Sequence, residues 1–241
     1  MILLFLLVMT SSDSSLIDLP KNCIADENSN CAECEIEGEL ICFVEKKFAN
    51  RFILGNIAYR IFAISILVFS GLMIGHWWML ISYVIILLVT FLVLEPRLLC
   101  SHCPFYEKEG KCLKCWALRG MPKLWKYRPG PITKVEKVIM LIFGSFIDIF
   151  PFVGAVWGLI FFGLNYSEYL FAGIPLVICT FLFMVIAGYF SRVLLGNACK
   201  KCANFSCSMN KVPKEIVDKF LKKNPRMKEA WIACGWQLDQ K

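Results

Sequence analysis

The sequence predicts an all-α integral membrane protein with four transmembrane helices arranged as two hairpins. Two observations predict this class: 58% of the residues are hydrophobic, and the mean hydropathy is +0.61. A third is the length of the apolar runs, which approach the roughly 20 residues that an α-helix needs to cross a bilayer. The predicted spans are 57–74, 77–94, 138–162 and 170–191. A composition this apolar excludes an ordinary soluble domain.

The two predicted hairpins turn at short tips that contain no lysine or arginine. Residues 75–78 join the first pair of spans, and residues 164–169 join the second pair. The first tip has two tryptophans and the second has two tyrosines, side chains that favour the headgroup region of a bilayer. Both tips are therefore predicted to lie at a membrane surface.

Basic residues are concentrated in the segments outside the hairpins. Segment 95–137 carries ten basic and four acidic residues, and segment 192–241 carries eleven basic and four acidic residues. Loops rich in lysine and arginine are retained on the cytoplasmic side of a membrane. We therefore expect a multi-pass protein in contact with the lipid bilayer, with both the N- and the C-terminus in the cytoplasm.

Composition divides the chain into five segments. They are an acidic, cysteine-rich cytoplasmic head (1–51), a first transmembrane hairpin (52–95), a basic cytoplasmic loop with a four-cysteine knuckle (96–137), a second hairpin (138–191) and a basic cytoplasmic tail (192–241). The apolar stretch Met1–Val8 has no basic residue before it and makes a poor signal peptide. Translation from Met9 and a cleaved signal peptide are the two alternatives, and cleavage would place the first cysteines where disulfides form.

Thirteen cysteines form three groups of four in the polar segments, with Cys179 alone inside an apolar run. The groups are Cys23, Cys31, Cys34 and Cys42; Cys100, Cys103, Cys112 and Cys115; and Cys199, Cys202, Cys207 and Cys234. Structural disulfides are rare in a reducing cytoplasm, so a cysteine framework there is more often a metal framework. Each group has the number of thiolates that one tetrahedral zinc site requires.

The second group has the most diagnostic spacing, C-x2-C-x8-C-x2-C. Two residues between cysteines allow a tight turn that directs both sulfurs at one ion, and two such turns complete a tetrahedral set. The sequence therefore predicts small zinc-knuckle-like modules on the cytoplasmic side, with zinc as the cofactor. An iron–sulfur cluster and free or redox-active thiols are the alternatives.

The other two groups are less diagnostic. In the third group, three cysteines lie within nine residues, and Cys234 completes the set by counting alone. Three thiolates with an open fourth position would instead describe a catalytic or exchangeable metal site. A C-x2-C pair follows each predicted hairpin, which is typical of a duplicated unit but also arises by coincidence.

Two charged residues lie inside the predicted spans. Arg60 is fifteen residues from Gly75, and Asp148 is fifteen residues from Gly163, so both lie near the same depth at about 1.5 Å per helical residue. An ionisable group at such a depth is a candidate functional residue. The two residues are predicted to form either a structural ion pair or part of a proton or ion relay.

The tail is predicted to form two short helices. Apolar residues recur at helical spacing after Pro213, and Asn224-Pro225 separates the first helix from the second, which Gly235 closes. Such a pair of helices resembles a helix-turn-helix, but on a membrane-tethered chain it is expected to pack over a metal site or lie on the bilayer. Nucleic acid is therefore not an expected partner.

The sequence predicts three alternative functions and contains no nucleotide-binding loop, no nucleophile with a matching base and no histidine-rich metal centre. The first is a non-enzymatic scaffold, adaptor or regulator that binds an unknown protein partner on its cytoplasmic face and can form a homo-oligomer. The second is a membrane-bound redox protein that uses thiol pairs or iron–sulfur clusters, which would be an oxidoreductase. The third is a metal or ion transporter with Asp148 in its pathway.

Overall fold

The computed structural model describes residues 19–26, 29, 31 and 33–239. Within this part of the chain the protein is all-helical and has no β-strand, and one isolated β-bridge pairs Cys112 with Pro122. The predicted all-α class is confirmed for these residues. The alternative starts at Met1 and Met9 lie outside them.

Four helices are long and apolar enough to cross a membrane, which indicates a multi-pass membrane protein. They are Lys46–Ile74, Trp78–His102, Lys134–Leu164 and Leu170–Lys201. Their α-helical parts are α1 (Lys46–Ile74), α2 (Trp78–Val89), α3 (Lys134–Leu164) and α4 (Leu170–Val193). α2 continues as a π-helical stretch, Thr90–Leu99, and then a 3-10 turn, Cys100–His102. α4 continues as a π-helical turn, Leu194–Ala198, and then the short helix α5, Cys199–Lys201. The helices therefore extend beyond the predicted spans, because backbone hydrogen bonding does not stop where the apolar run ends.

Helix α1 contacts the other three long helices and packs mainly against α3 and α4. Its residues Ile66 and Leu67 are buried, as are Leu176 and Phe183 of α4. A glycine permits the close approach of α3, because a Cβ atom on Gly154 would lie 2.4 Å from Leu67 Cδ2. Small residues at such crossings are common in membranes, where close packing drives the association of helices.

The outward faces of these helices expose large apolar side chains. Ile85 of α2, Leu141 of α3 and Phe181 of α4 are each more than half exposed. Because the backbone hydrogen bonds of a helix are internal, such a face can lie against acyl chains without leaving polar groups unsatisfied. The helices are therefore compatible with contact with a lipid bilayer.

Two local sequences determine where α1 ends and where α3 begins. Gly75 follows α1 with φ +77°, a left-handed conformation that glycine adopts without strain. α3 begins with a capping box, in which Glu136 N donates to Thr133 Oγ1 at 3.2 Å and Thr133 N donates to Glu136 Oε2 at 2.8 Å. Arg128 Nη1 also contacts Glu136 Oε1 at 2.6 Å, which fixes the preceding loop to the helix start.

The three polar segments share one apolar core, and we call their described residues within 19–45, 103–133 and 202–239 the polar body. Hydrogen bonds connect the segments: Ile41 N donates to Lys201 O at 2.7 Å, and the side-chain Nδ2 of Asn204 donates to Leu99 O at 3.2 Å. The buried Glu107 carboxylate accepts from Arg226 Nη1 at 2.5 Å. The polar segments before α1, after α2 and after α4 are therefore in contact with one another.

The two predicted tail helices are confirmed as α6 (Lys214–Lys223) and α7 (Pro225–Ala233). Phe220 and Leu221 of α6 are fully buried in the polar body. Trp231 of α7 is also buried, and its Nε1 donates to Pro129 O at 3.1 Å. The pair of helices therefore packs over the loop that precedes α3.

Candidate metal-binding thiol clusters

The first cysteine group comes together in the polar body. Cys23, Cys31, Cys34 and Cys42 line one groove, and we call these four residues the head cluster. Cys34 N donates to Cys31 O at 3.2 Å, which forms the tight turn that a C-x2-C pair requires. Ser29 lines the same groove, with its Oγ 3.8 Å from Cys31 Sγ.

The junction between α6 and α7 holds two thiols of the head cluster. Cys23 N donates to Asn224 Oδ1 at 2.6 Å, and Asn224 Nδ2 donates to Cys23 Sγ at 3.4 Å. Lys223 Nζ lies 3.4 Å from Cys34 Sγ. Asn224 is buried, and its Nδ2 also donates to Phe220 O at 2.7 Å. The tail therefore positions the head cluster and places a positive charge beside it.

Thiols of the head cluster influence one another electrostatically. Burial, followed by the nearby thiols of Cys23, Cys31 and Cys34, raises the pKa of Cys42 to about 12. Burial also raises the pKa of Cys23, which the hydrogen bond from Asn224 partly offsets. A bound cation acts in the opposite direction, because it stabilises the thiolate form.

Thiols of the second and third cysteine groups lie within electrostatic range of one another. Burial raises the pKa of Cys103 well above its usual range, and the nearby thiols of Cys202, Cys115 and Cys207 add to that increase. Burial likewise raises the pKa of Cys202 to about 12, with contributions from Cys207, Cys199 and Cys115. We call Cys103, Cys115, Cys202 and Cys207 the junction cluster, because it joins the segment after α2 to the segment after α4.

Four cysteines of the two groups lie outside this set. Cys100 is buried within electrostatic range of Cys103, Cys115 and Cys207, and Cys199 is buried within range of Cys207. Cys112 is exposed in the β-bridge with Pro122. Cys234 is exposed at the end of α7, with its Sγ 3.8 Å from the place of a Cβ atom on Gly130. The cysteines that lie near one another in the structure are therefore not the same sets as those grouped along the sequence.

Neither cluster is a ready coordination sphere. Among the residues that the structure describes, no three cysteine, histidine, aspartate or glutamate side chains already stand where one ion would be held. Zinc requires each sulfur about 2.3 Å from the ion. Cysteine side chains reach such positions by changing between staggered rotamers. The structure thus brings suitable donors into two neighbourhoods, and ligation requires their side chains to reorient.

Glu95, which the sequence places at the last position of the first predicted hairpin and among the charges of segment 95–137, lies within electrostatic range of the junction cluster. It belongs to the π-helical continuation of α2, within electrostatic range of Cys115, Cys207 and Arg60. π-Helical segments occur frequently at functional sites. An acidic residue followed by Pro96 at the end of an apolar run was the signal in the sequence that could have identified it.

The two intramembrane charges are close together. Arg60 Nη1 lies 3.5 Å from Asp148 Oδ1, which is long for an ion pair. The arginine side chain is mostly buried, with its guanidinium carbon 4.8 Å from the Tyr59 ring centroid and 5.3 Å from that of Phe91. The Asp148 side chain is 62% exposed on the outer surface of the bundle.

His102 is buried next to the cysteines but makes contacts of its own. Its Nδ1 lies 2.6 Å from Gly130 O, and its Nε2 lies 4.0 Å from Glu136 Oε2. These contacts connect the turn after α2 to the start of α3.

No protein-family model, curated protein or solved structure matches this chain.

Proposed function

We propose that this chain is a multi-pass membrane protein whose polar body binds zinc through cysteine thiolates on the cytoplasmic face. In this proposal the spans form two hairpins, the metal sites are structural, and the protein acts as a non-enzymatic scaffold, adaptor or regulator of a protein partner. The observation that carries the proposal is the head cluster, in which four thiols of one short segment line a single groove. Four thiolates are the usual ligand set of a closed structural zinc site.

The cytoplasmic orientation of the polar body is supported by the basic residues of the polar segments and by the contacts between these segments. The positive residues of the polar segments favour retention in the cytoplasm. Contacts between the polar segments, such as Ile41 N to Lys201 O, support a common side for all of them. The cytoplasm is reducing, which favours metal thiolates over disulfides.

The raised pKa values of the thiols favour a structural role over redox catalysis. Reactive cysteines have lowered pKa values and accessible thiolates, whereas cysteines in apolar surroundings are inert. Cys42 and Cys202, whose pKa values are raised to about 12, belong to the second class. Metal would then add to the stability that the shared apolar core already supplies to the polar body.

Elemental analysis and an optical spectrum test this proposal on protein purified anaerobically in detergent. We expect at least one zinc per chain, no visible colour and loss of about one zinc in Cys31→Ser. Cys112→Ser is the matched control, because that thiol is exposed and outside both clusters. Absence of a stoichiometric metal would overturn the proposal, and iron with sulfide and a visible band would replace it with the redox alternative.

Limited proteolysis tests the structural role. After zinc is removed with a chelator, we expect protease to cut the less stable zinc-free polar body faster than the zinc-loaded one, while the membrane-spanning helices stay protected by detergent. Equal resistance of the polar body with and without zinc would contradict a structural role for the metal.

One observation favours the transporter as a second candidate. Glu95 lies within electrostatic range both of Arg60, which pairs with Asp148, and of the junction cluster. Charged groups thus lead from the spans to the thiols, and intramembrane charges often mark ion pathways. Zinc and proton flux in liposomes, measured for the wild type and for Asp148→Asn, separates this candidate from the scaffold.

A further inference from the structure

The outward face of α3 carries a carboxylate at the depth of the bilayer. Asp148 is sixteen residues from Leu164, where α3 ends, which is about 24 Å at 1.5 Å per helical residue. The hydrocarbon core of a bilayer is about 30 Å thick, so Asp148 lies within it when the end of α3 is at the membrane surface. Leu141, seven residues earlier, and the adjacent Ile149 are 59% and 58% exposed. Asp148 is therefore a charged group on a face that is otherwise suited to acyl chains.

The chain itself covers only one side of this carboxylate. Arg60 Nη1 lies 3.5 Å from Asp148 Oδ1, but the Arg60 side chain is 18% exposed and its guanidinium also lies over the rings of Tyr59 and Phe91. The Asp148 side chain stays 62% exposed. Ionisable groups within membrane spans almost always face protein or a water-filled cavity. A second protein surface in the membrane would therefore be needed to cover Asp148.

Two small residues lie next to Asp148 on the same face of α3. Gly144 and Ser145 precede it by four and three residues, and side chains at these spacings are neighbours on a helix. A Cβ atom on Gly144 would contact nothing within 4 Å in the described part of the chain, outside its own helical turn. Gly154, in contrast, packs against α1, where a Cβ atom would clash with Leu67. Gly144 therefore leaves an open notch beside the carboxylate.

This face contains both partners of a hydrogen bond. Ser145 has a hydroxyl that can donate, and Asp148 has a carboxylate that accepts, one helical turn apart. Two copies of the chain that are inserted in the same direction place their α3 helices parallel, with these residues at the same depth. A two-fold axis along the membrane normal then makes each contact twice, as in other symmetric interfaces. Small residues permit the close approach that such contacts between membrane helices need.

We infer that the Gly144, Ser145 and Asp148 face of α3 binds the same face of a second copy of this chain within the membrane. In this dimer the two notches face each other, and Ser145 Oγ of each copy donates to the Asp148 carboxylate of the other. Each carboxylate keeps Arg60 of its own chain, so the interface gains two cations with its two anions. The basic helix starts, near Lys137, are separated, because helices that meet at small residues commonly cross at about 40°.

Energy transfer between labelled copies in phosphatidylcholine liposomes tests this interface. Copies of the full chain carry donor or acceptor dyes on a C-terminal tag, and dilution with lipid gives the dissociation constant. Gly144→Ile, which fills the notch, and Asp148→Leu, which removes the carboxylate, should each weaken the dimer about tenfold or more. Asp148→Asn should keep the dissociation constant within about threefold of the wild type, because the amide oxygen still accepts from Ser145.

Gly188→Ile is the matched control for the notch. Gly188 is an exposed glycine of α4, and a Cβ atom there would also contact nothing within 4 Å. The same substitution therefore adds the same bulk to a different outward face, and its dissociation constant should equal that of the wild type. A monomeric wild type, a dimer that Gly144→Ile leaves intact, or equal loss of the dimer in Gly188→Ile would overturn the inference.

Oxidative cross-linking in the bilayer locates the contact directly. A disulfide requires two Cα atoms about 4.4–6.8 Å apart, so the thiols introduced by Ser145→Cys should join two copies. Val185→Cys is the control, because Val185 is 54% exposed on α4, and it should give no such link. Mass spectrometry of the joined peptides separates these links from those between native cysteines. A dimer that lacks the Ser145→Cys link, or forms the Val185→Cys link equally, would have its interface elsewhere and would contradict the inference.

The interface goes beyond the proposed function and does not depend on zinc. A metal-free protein that dimerises through α3 contradicts only the proposed function. A zinc-binding protein that stays monomeric contradicts only the interface.

Discussion

The head cluster and the junction cluster contain the same number of thiols but are assembled differently. The head cluster comes from one short segment, residues 23–42, and its thiols are partly exposed in a groove. The junction cluster draws two thiols from the segment after α2 and two from the segment after α4, and Cys103 and Cys115 are buried. The first is therefore a local site, and the second depends on the folding of the whole chain.

Because the two clusters draw their thiols from different parts of the chain, a metal bound in each would stabilise a different part of the protein. A metal in the head cluster constrains one segment and the α6–α7 junction that Asn224 connects to it. A metal in the junction cluster would constrain two membrane spans relative to each other. We therefore expect the junction cluster to have the larger effect on the stability of the protein.

Substitution of one ligand in each cluster is the strongest test of this comparison. Cys202→Ser should lower the unfolding temperature of the polar body more than Cys31→Ser does, because it releases one span end from the other. Zinc binding by small thiolate modules supplies on the order of 10 kcal/mol, so both effects should be large. Tryptophan fluorescence during thermal unfolding in detergent measures them, and Cys112→Ser is the control. A larger decrease in Cys31→Ser would reverse the comparison.

The pH dependence of the zinc-free protein is the second test. At a pKa of about 12, as for Cys42 and Cys202, only about one thiol in ten thousand is ionised at pH 8, against about a quarter at the ordinary value near 8.5. Alkylation of both should therefore be slow at pH 8 and accelerate about tenfold per pH unit up to pH 11. Mass spectrometry over time measures the rates.

The raised pKa values of Cys42 and Cys202 also make the stability of the zinc-free polar body depend on pH. Because the folded state raises these thiol pKa values, their contribution is fully present below about pH 8.5 and is lost as the pH rises towards 12. The zinc-free polar body should thus unfold more easily at pH 10 than at pH 8. Alkylation of Cys202 faster than that of free cysteine at pH 8 would contradict the burial of the junction cluster.

Two buried asparagines allow a matched comparison at smaller energies. Asn224→Ala removes a 2.6 Å hydrogen bond from Cys23 N and the contact with Cys23 Sγ, whereas Asn204→Ala removes the bond to Leu99 O. A buried group left without its partner costs about 1–3 kcal/mol. Each variant should weaken zinc retention against a chelator by roughly 5- to 150-fold, at its own cluster only. Equal weakening of both clusters by either variant would show that they are not independent.

How much the sequence predicts depends on how local each feature is. Apolar runs identify all four long helices, and spacing identifies α6 and α7, because both patterns depend on neighbouring residues. The head cluster is contained in one segment, so its four cysteines could be grouped from the sequence. For these features, periodicity and local spacing carry the necessary information.

The junction cluster is not predictable in this way. Its members Cys103 and Cys202 are 99 residues apart, and only the packing of the helix ends brings them together. The order along the chain placed Cys112 in the second group of four cysteines and Cys234 in the third group, yet both thiols are exposed in the structure. Glu95 was counted with the charges of the polar segment 95–137, yet it lies inside the helical continuation of α2, because the end of the apolar run does not show where a helix ends. Each of these features depends on tertiary contacts.

Arg60 and Asp148 provide the test with the smallest expected effect on stability, and this test separates the scaffold from the transporter. Asp148→Asn removes a carboxylate that is 62% exposed and 3.5 Å from its partner, while Arg60 keeps its contacts with Tyr59 and Phe91. Polar contacts between membrane helices average about 0.6 kcal/mol, so the unfolding free energy should change by no more than about that amount. Zinc content should not change, because both clusters lie in the polar body. In liposomes, the scaffold proposal predicts zinc and proton flux at the level of empty vesicles for the wild type and for Asp148→Asn alike. Flux in the wild type that Asp148→Asn abolishes would assign Arg60, Asp148 and Glu95 to a transport pathway, with the junction cluster as its acceptor.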